Sequence, residues 1–156
     1  MAVRIGFYHL LHWPLERALP KLLERAVGAG HKVVVMAGSA ERVRDLDALL
    51  WTYEQNSWLP HGSVRDGDAA LQPVFLTDRD DNPNLADILV LTDGVTSAAL
   101  PGFVRCLMLF DGNDEEALAA ARARWTEWKA AGYRLEYHQQ TERGGWELKA
   151  EAGNAG

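Results

Sequence analysis

Apolar positions along the chain switch between two rhythms, and the order of the switches lays out the elements. Val3 to Leu10 is a short apolar run of strand length. Pro14 to Ala29 then repeats Leu15, Leu19, Leu22, Leu23 and Ala26 at helical spacing, with Gly28 and Gly30 marking its end. Pro20 falls inside that pattern and predicts either a kink or the true start of the helix. Lys32 to Met36 is a continuous β-branched run, the signature of a strand covered on both faces. Ser39 follows as the N-cap of a helix to about Trp51, with Val43, Leu46, Leu49 and Leu50 turned inward.

From Thr52 to Gln72 the pattern is irregular and apolar residues are few. Val74 to Leu76, Ile88 to Thr92 and Val104 to Leu109 read as three more short strands, and Asp78 to Asn84 as a polar turn. Asn113 is placed to cap a long helix to about Ala131. Asp114, Glu115 and Glu116 stand in its first turn and Lys129 in its last, a charge order that suits the helix dipole, and Gly132 ends it. Tyr133 to Gln139 and Trp146 to Lys149, around Gly144 and Gly145, predict a terminal hairpin. Alternating strands and helices with buried strand runs imply a three-layer, Rossmann-like α/β domain with a mostly parallel sheet and a C-terminal hairpin. Residues 1–149 are expected to form this one domain, and 150–156 a disordered tail.

Composition narrows the function classes. The 156 residues carry a formal net charge of −6, with 47% hydrophobic and 24% charged positions. That acidity disfavours strong sequence-independent binding to a phosphate backbone, where cations must displace counterions. The single cysteine, Cys106, lies in an apolar run and reads as a buried thiol of a reducing compartment. The N-terminus lacks the layout of a signal peptide and no apolar stretch is long enough to span a bilayer, so a cytoplasmic protein is expected.

Candidate chemistry is sparse. The loop after the first strand, His9-Leu10-Leu11-His12-Trp13, holds no glycine, although a dinucleotide site needs glycines there for the backbone to approach a pyrophosphate. Ala37-Gly38-Ser39 opens a helix but is a weak anion signal by itself. His9 and His12 have the spacing of metal ligands without a third ligand in sequence, and Asp78-Arg79-Asp80-Asp81 suits a solvated turn. No nucleophile, base and orienting group assemble, so no cofactor, metal or catalytic residue is expected. The rival reading is a small nucleotide-binding enzyme on a Rossmann-like fold.

The richest cluster lies on the last helix. At about 100° per residue, Arg122, Trp125 and Lys129 fall within roughly a quarter-turn of one another, which puts Trp125 at the border of a basic and an apolar strip. An arginine fork grips carboxylates, and an indole gives a rigid apolar wall. Leu118, Ala121, Trp125 and Trp128 also recur at helical spacing, so a core role for both tryptophans stays open.

Three stretches together resemble the chi subunit of bacterial DNA polymerase III: Phe7-Tyr8-His9-Leu10; Leu46 to Trp51 followed by Trp58-Leu59-Pro60-His61-Gly62; and Arg122 to Tyr133. Asp87 to Val90 and Trp146 also sit where that family has similar residues. The resemblance implies a non-catalytic accessory subunit with an α/β fold and no nucleotide, bridging the clamp loader to single-stranded DNA-binding protein. It implies that Arg122, Arg124, Trp125, Trp128 and Lys129 grip the acidic, phenylalanine-ended C-terminal tail of that protein. Trp58, Leu59, Pro60 and His61 correspond to the segment that binds the small psi subunit. Thr126 departs from the family, which often carries lysine there, and puts the electrostatic role of a single lysine in doubt. The psi reading stands beside another, in which Trp58 packs back as a lid on the helix ending at Trp51.

Overall fold

The computed structural model describes residues 3–53, 59–63 and 69–153. Its elements follow in the order β1 (Arg4–Leu10), α1 (Leu15–Gly28), β2 (Val33–Met36), α2 (Ala40–Thr52), β3 (Gly62–Ser63), β4 (Val74–Thr77), β5 (Ile88–Leu91), β6 (Arg105–Asp111), α3 (Glu115–Ala130), β7 (Arg134–Gln140) and β8 (Trp146–Ala152). The strands form one sheet in the order β3-β4-β2-β5-β6-β1-β7-β8, parallel throughout except for the antiparallel β7–β8 hairpin.

The period-two alternation of a strand explains the layering. Tyr8 and Leu10 of β1, Val33 and Val35 of β2, and Leu107 and Leu109 of β6 face one side, where they pack with Leu19, Leu22 and Leu23 of α1 and Val43, Leu46 and Leu50 of α2. Ile5, Phe7, Val34, Met36, Cys106, Met108 and Phe110 face the other side, where Ala121 and Trp128 of α3 join them. β2 and β5 lie in the middle of the sheet and are buried at every position, which is why they read as unbroken apolar runs. The α/β architecture, the mostly parallel sheet and the terminal hairpin all match the sequence expectation.

Local details differ in four places. Helix α1 begins at Leu15, so Pro20 is an interior residue and not its start; its ring is buried, and that burial offsets the backbone hydrogen bond it cannot donate. Asp114, not Asn113, caps α3: its carboxylate accepts from the Glu116 and Ala117 amides at 2.9 and 3.4 Å. The Asn113 amide instead donates to the Leu11 carbonyl at 3.0 Å, tying this turn to the loop after β1. Strand β8 runs to Ala152, which pairs with Leu135, so the order of the chain continues past Lys149. Strand β3, which pairs with Phe75 and Leu76 of β4, is two residues long and too short to leave a pattern. Ser39 caps α2 as expected, accepting from the Arg42 amide at 3.1 Å. No helix among the described residues is long and apolar enough to cross a membrane.

Candidate functional site

The register of β1 against β7 sets Phe7 beside Tyr137, and both side chains project toward α3. Between them and the helix lies a cavity of about 340 Å³ lined by Phe7, Phe110, Leu118, Ala121, Arg122, Trp125, Thr126 and Tyr137. The half-buried Trp125 ring meets Phe7 edge-on at 5.2 Å between centroids and Tyr137 at 6.2 Å, the favoured geometry for aromatic pairs. Arg122 is the one charged residue of this lining, which holds no carboxylate.

Behind the cavity the Tyr137 hydroxyl is hydrogen-bonded to Nδ1 of His9. Burial pushes the Tyr137 phenol up and the Arg122 guanidinium pulls it back, with the first effect larger. His9 is held below the ordinary imidazole value, chiefly by burial and further by Arg122, against the Gly112 backbone and Asp111, which favour the charged ring. Burial is the larger cause on both groups, and the positive charge of Arg122 lowers both.

The five sequence-predicted tail residues separate here. Arg122 and Trp125 line the cavity. Trp128 does not: only 6% exposed, it stands edge-on to Phe7 at 5.6 Å and belongs to the core. Arg124 pairs with Glu127 at 2.9 Å, and Lys129 is exposed in the last turn outside the lining. Thr126 is part of the wall, with its hydroxyl donating to the Arg122 carbonyl at 3.2 Å. Leu118 and Ala121, which share the helical stripe of the two tryptophans, line the cavity with Trp125. Phe7, Phe110 and Tyr137 join them from the sheet, without any binding role expected of them from the sequence. The strand alternation that puts Phe7 and Ile5 on one face is a usable signal, but it does not say which helix lies there.

A larger cleft of about 700 Å³ opens at the carboxyl ends of the strands, the position where parallel α/β domains usually hold ligands. Its walls include Glu16, Asp93, Asp111, Asp114 and Glu116. Its one arginine, Arg42, is bonded to Glu16 at 3.1 Å and Asp93 at 3.3 Å. The loop after β1 converges its Leu11, His12 and Trp13 amides on a single acceptor, as a phosphate loop does, but that acceptor is the chain's own Gln140 Oε1 at 3.1, 2.8 and 2.8 Å.

The segment assigned to psi is partly inward. Leu59 and His61 are 3% and 5% exposed. His61 Nδ1 donates to the Leu59 carbonyl at 2.7 Å, and its Nε2 lies 3.2 Å from Asp47. Pro60 is half-buried, and Trp58 lies outside the described residues. The exposed aromatic of this region is Trp51, 58% exposed, whose ring stands 4.4 Å from that of His61. Cys106 is fully buried, which pushes its thiol far above the ordinary range. Among the described residues no group of three potential metal-ligating side chains gathers.

In class this is a Rossmann-like α/β domain with an aromatic, cation-edged cavity beside its last helix and an acidic cleft where a nucleotide would sit. The family model for the DNA polymerase III chi subunit, HolC, matches residues 2–136, and the chain belongs to that family of replicase accessory subunits. A probable DNA polymerase III subunit chi of Rickettsia prowazekii (strain Madrid E) is 32% identical over 88 residues, covering 56% of this chain and 53% of that one. The chain thus spans about half the length of this curated relative.

Proposed function

We propose that this protein is a non-catalytic cytoplasmic subunit that couples the clamp loader to single-stranded DNA-binding protein by gripping the acidic, phenylalanine-ended tail of the latter. The observation that carries this reading is the α3 cavity: aromatic walls with room for a phenyl ring and the backbone behind it, and Arg122 as the one charge of the lining. A C-terminal phenylalanine presents both complements at once, an apolar ring for Phe7, Trp125 and Tyr137 and a carboxylate for Arg122. Arg124 and Lys129, farther along the helix, supply longer-range attraction for the acidic residues upstream of it. Trp128 serves by holding Phe7 in place.

The second contact, with psi or the clamp loader, falls to the Trp58–His61 segment. Here Trp51 is added as an exposed anchor, and the buried Leu59 and His61 act as its support. Large aromatics of this kind dominate interface energies.

Fluorescence anisotropy tests the first contact, with a labelled acidic peptide ending in phenylalanine run beside a labelled oligonucleotide. Roughly micromolar peptide binding is expected, equivalent to about −8 kcal/mol, lost when the terminal phenylalanine is removed, with little oligonucleotide binding. Oligonucleotide binding stronger than peptide binding would favour stacking of single-stranded DNA on the tryptophans instead. Separately, Trp51→Ala and Trp58→Ala should each reduce co-purification with psi or the clamp loader and leave peptide binding intact.

A further inference from the structure

One group behind the α3 cavity has no part in the contacts proposed above. His9 projects from β1 toward Phe110 and Tyr137, with ring centroids 5.0 and 5.7 Å away. Its Nδ1 is bonded to the Tyr137 hydroxyl. Its Nε2 is buried without a well-formed hydrogen bond, and it packs so closely on Gly112 that the position has no room for a β-carbon. The Gly112 backbone beside the ring favours its protonated form. In the neutral ring with its hydrogen on Nε2, Nδ1 accepts the Tyr137 hydroxyl hydrogen. In that tautomer Tyr137 presents the cavity lining only with an oxygen that accepts.

We propose that His9 and Tyr137 form a proton-linked floor to this cavity, so that filling it with an acidic, phenylalanine-ended peptide draws one proton onto His9. This rests on the tail-binding reading. The balance is simple. One proton passes from solvent to Nδ1, which then donates to the Tyr137 oxygen, and the hydroxyl hydrogen turns toward the incoming carboxylate. No other bond changes. The charged groups around the ring set the direction. Arg122 of α3 opposes the imidazolium, Asp111 at the end of β6 favours it, and Tyr137 of β7 faces it without charge. Burial is the largest cause holding His9 down, and Arg122 is the charge that adds to it. His9 stands behind Tyr137, outside the lining that the peptide covers. A carboxylate docked on Arg122 therefore cancels that charge with little added burial, and His9 is more basic with the peptide bound than without it. Linkage then requires that affinity rise as pH falls through the value of His9 in the filled site.

The test uses the full chain and a synthetic acidic peptide ending in phenylalanine, with affinity measured between about pH 8 and about pH 5.5, a range bracketing ordinary imidazole titration. The wild type should gain about three- to tenfold in affinity on acidification. Titration calorimetry in buffers of different ionisation enthalpy should show proton uptake on binding. His9→Gln, which keeps a partner for Tyr137 but does not titrate, should bind with a flat pH profile, and Tyr137→Phe should lose most of the slope. The His9 ring proton signal followed by NMR should titrate at higher pH in peptide-saturated protein than in free protein, a readout on the wild type that needs no variant to fold. Binding with no pH slope, or an equal slope in wild type and His9→Gln, overturns the proton linkage and leaves tail binding standing. No peptide binding at any pH overturns both.

Discussion

The two cavities differ in size, position and charge, and the larger one is the worse host for an anion. The carboxyl-edge cleft has about 700 Å³ and the place in the fold where ligands are expected, yet five carboxylates line it and its one arginine is already bonded to two of them. Its anion-binding backbone is occupied from within: Gln140 fills the amides after β1, and Asp114 fills those at the start of α3. The α3 cavity has about 340 Å³, aromatic walls and one guanidinium with no carboxylate in the lining. Position within a fold and volume do not choose a ligand. The charge of the lining does, together with what the chain has already placed against its own amides.

The sharpest way to break this contrast is to make the small cavity resemble the large one. Arg122→Glu puts a carboxylate at the mouth of the aromatic cavity, and the acidic peptide should lose about a hundredfold or more in affinity, in line with the 2–5 kcal/mol lost when a charged partner is removed. Arg122 is exposed, so the thermal midpoint should hardly move, and anisotropy with a melting curve checks both. Unchanged peptide binding would place the tail elsewhere on the molecule.

The converse change empties the large cleft of its internal ligand. Gln140→Ala strips the acceptor from the Leu11, His12 and Trp13 amides. A fully buried donor left unsatisfied costs about 1–3 kcal/mol, and because water reaches these part-buried amides the loss should stay near that of one such group. Urea unfolding should show that loss, while peptide affinity stays within about twofold, because Gln140 takes no part in the α3 cavity. ATP and inorganic phosphate should still give no thermal shift, since the surrounding carboxylates remain. A shift with either would revive the nucleotide-binding reading.

What the sequence made legible divides along the same line. The buried runs of β2 and β5 and the Ser39 cap are fixed by local pattern, and they were read correctly. Asn113 and Asp114 are both able to cap α3, and the choice is made by a tertiary bond from Asn113 to Leu11 that no local pattern carries. Trp125 and Trp128 share one helical stripe. Both rings touch Phe7, and how α3 lies on the sheet decides that Trp128 is sealed and Trp125 left at the surface. Tyr137 and His9 stand 128 positions apart and meet through the β1–β7 pairing, so the floor of the site was invisible before the fold. Along β8, five consecutive residues are exposed. A solvated edge strand of this kind has little apolar alternation to mark it, which is why its last turn of pairing read as a tail.

The smallest expected effect tests whether the two cavities act independently. Phe110 lines both, and α3 contributes to both walls, Ala117 and Ala120 facing the cleft and Leu118 and Ala121 the aromatic cavity. Charge could pass between them only through the field, because the shared wall is apolar. Glu16 lies on α1, on the opposite side of the sheet from the α3 cavity, and its carboxylate is about half exposed and paired to Arg42. Exposed pairs contribute about 0–1 kcal/mol, and solvent ions screen separated charges beyond a Debye length of about 8 Å. Glu16→Gln should therefore lower stability by less than about 1 kcal/mol and leave Arg42 held by Asp93. Peptide affinity at ordinary salt should be unchanged. A clear gain in peptide affinity would mean that the acidic cleft repels the tail across the sheet, and that the contrast between the cavities is itself part of how the tail is weighed.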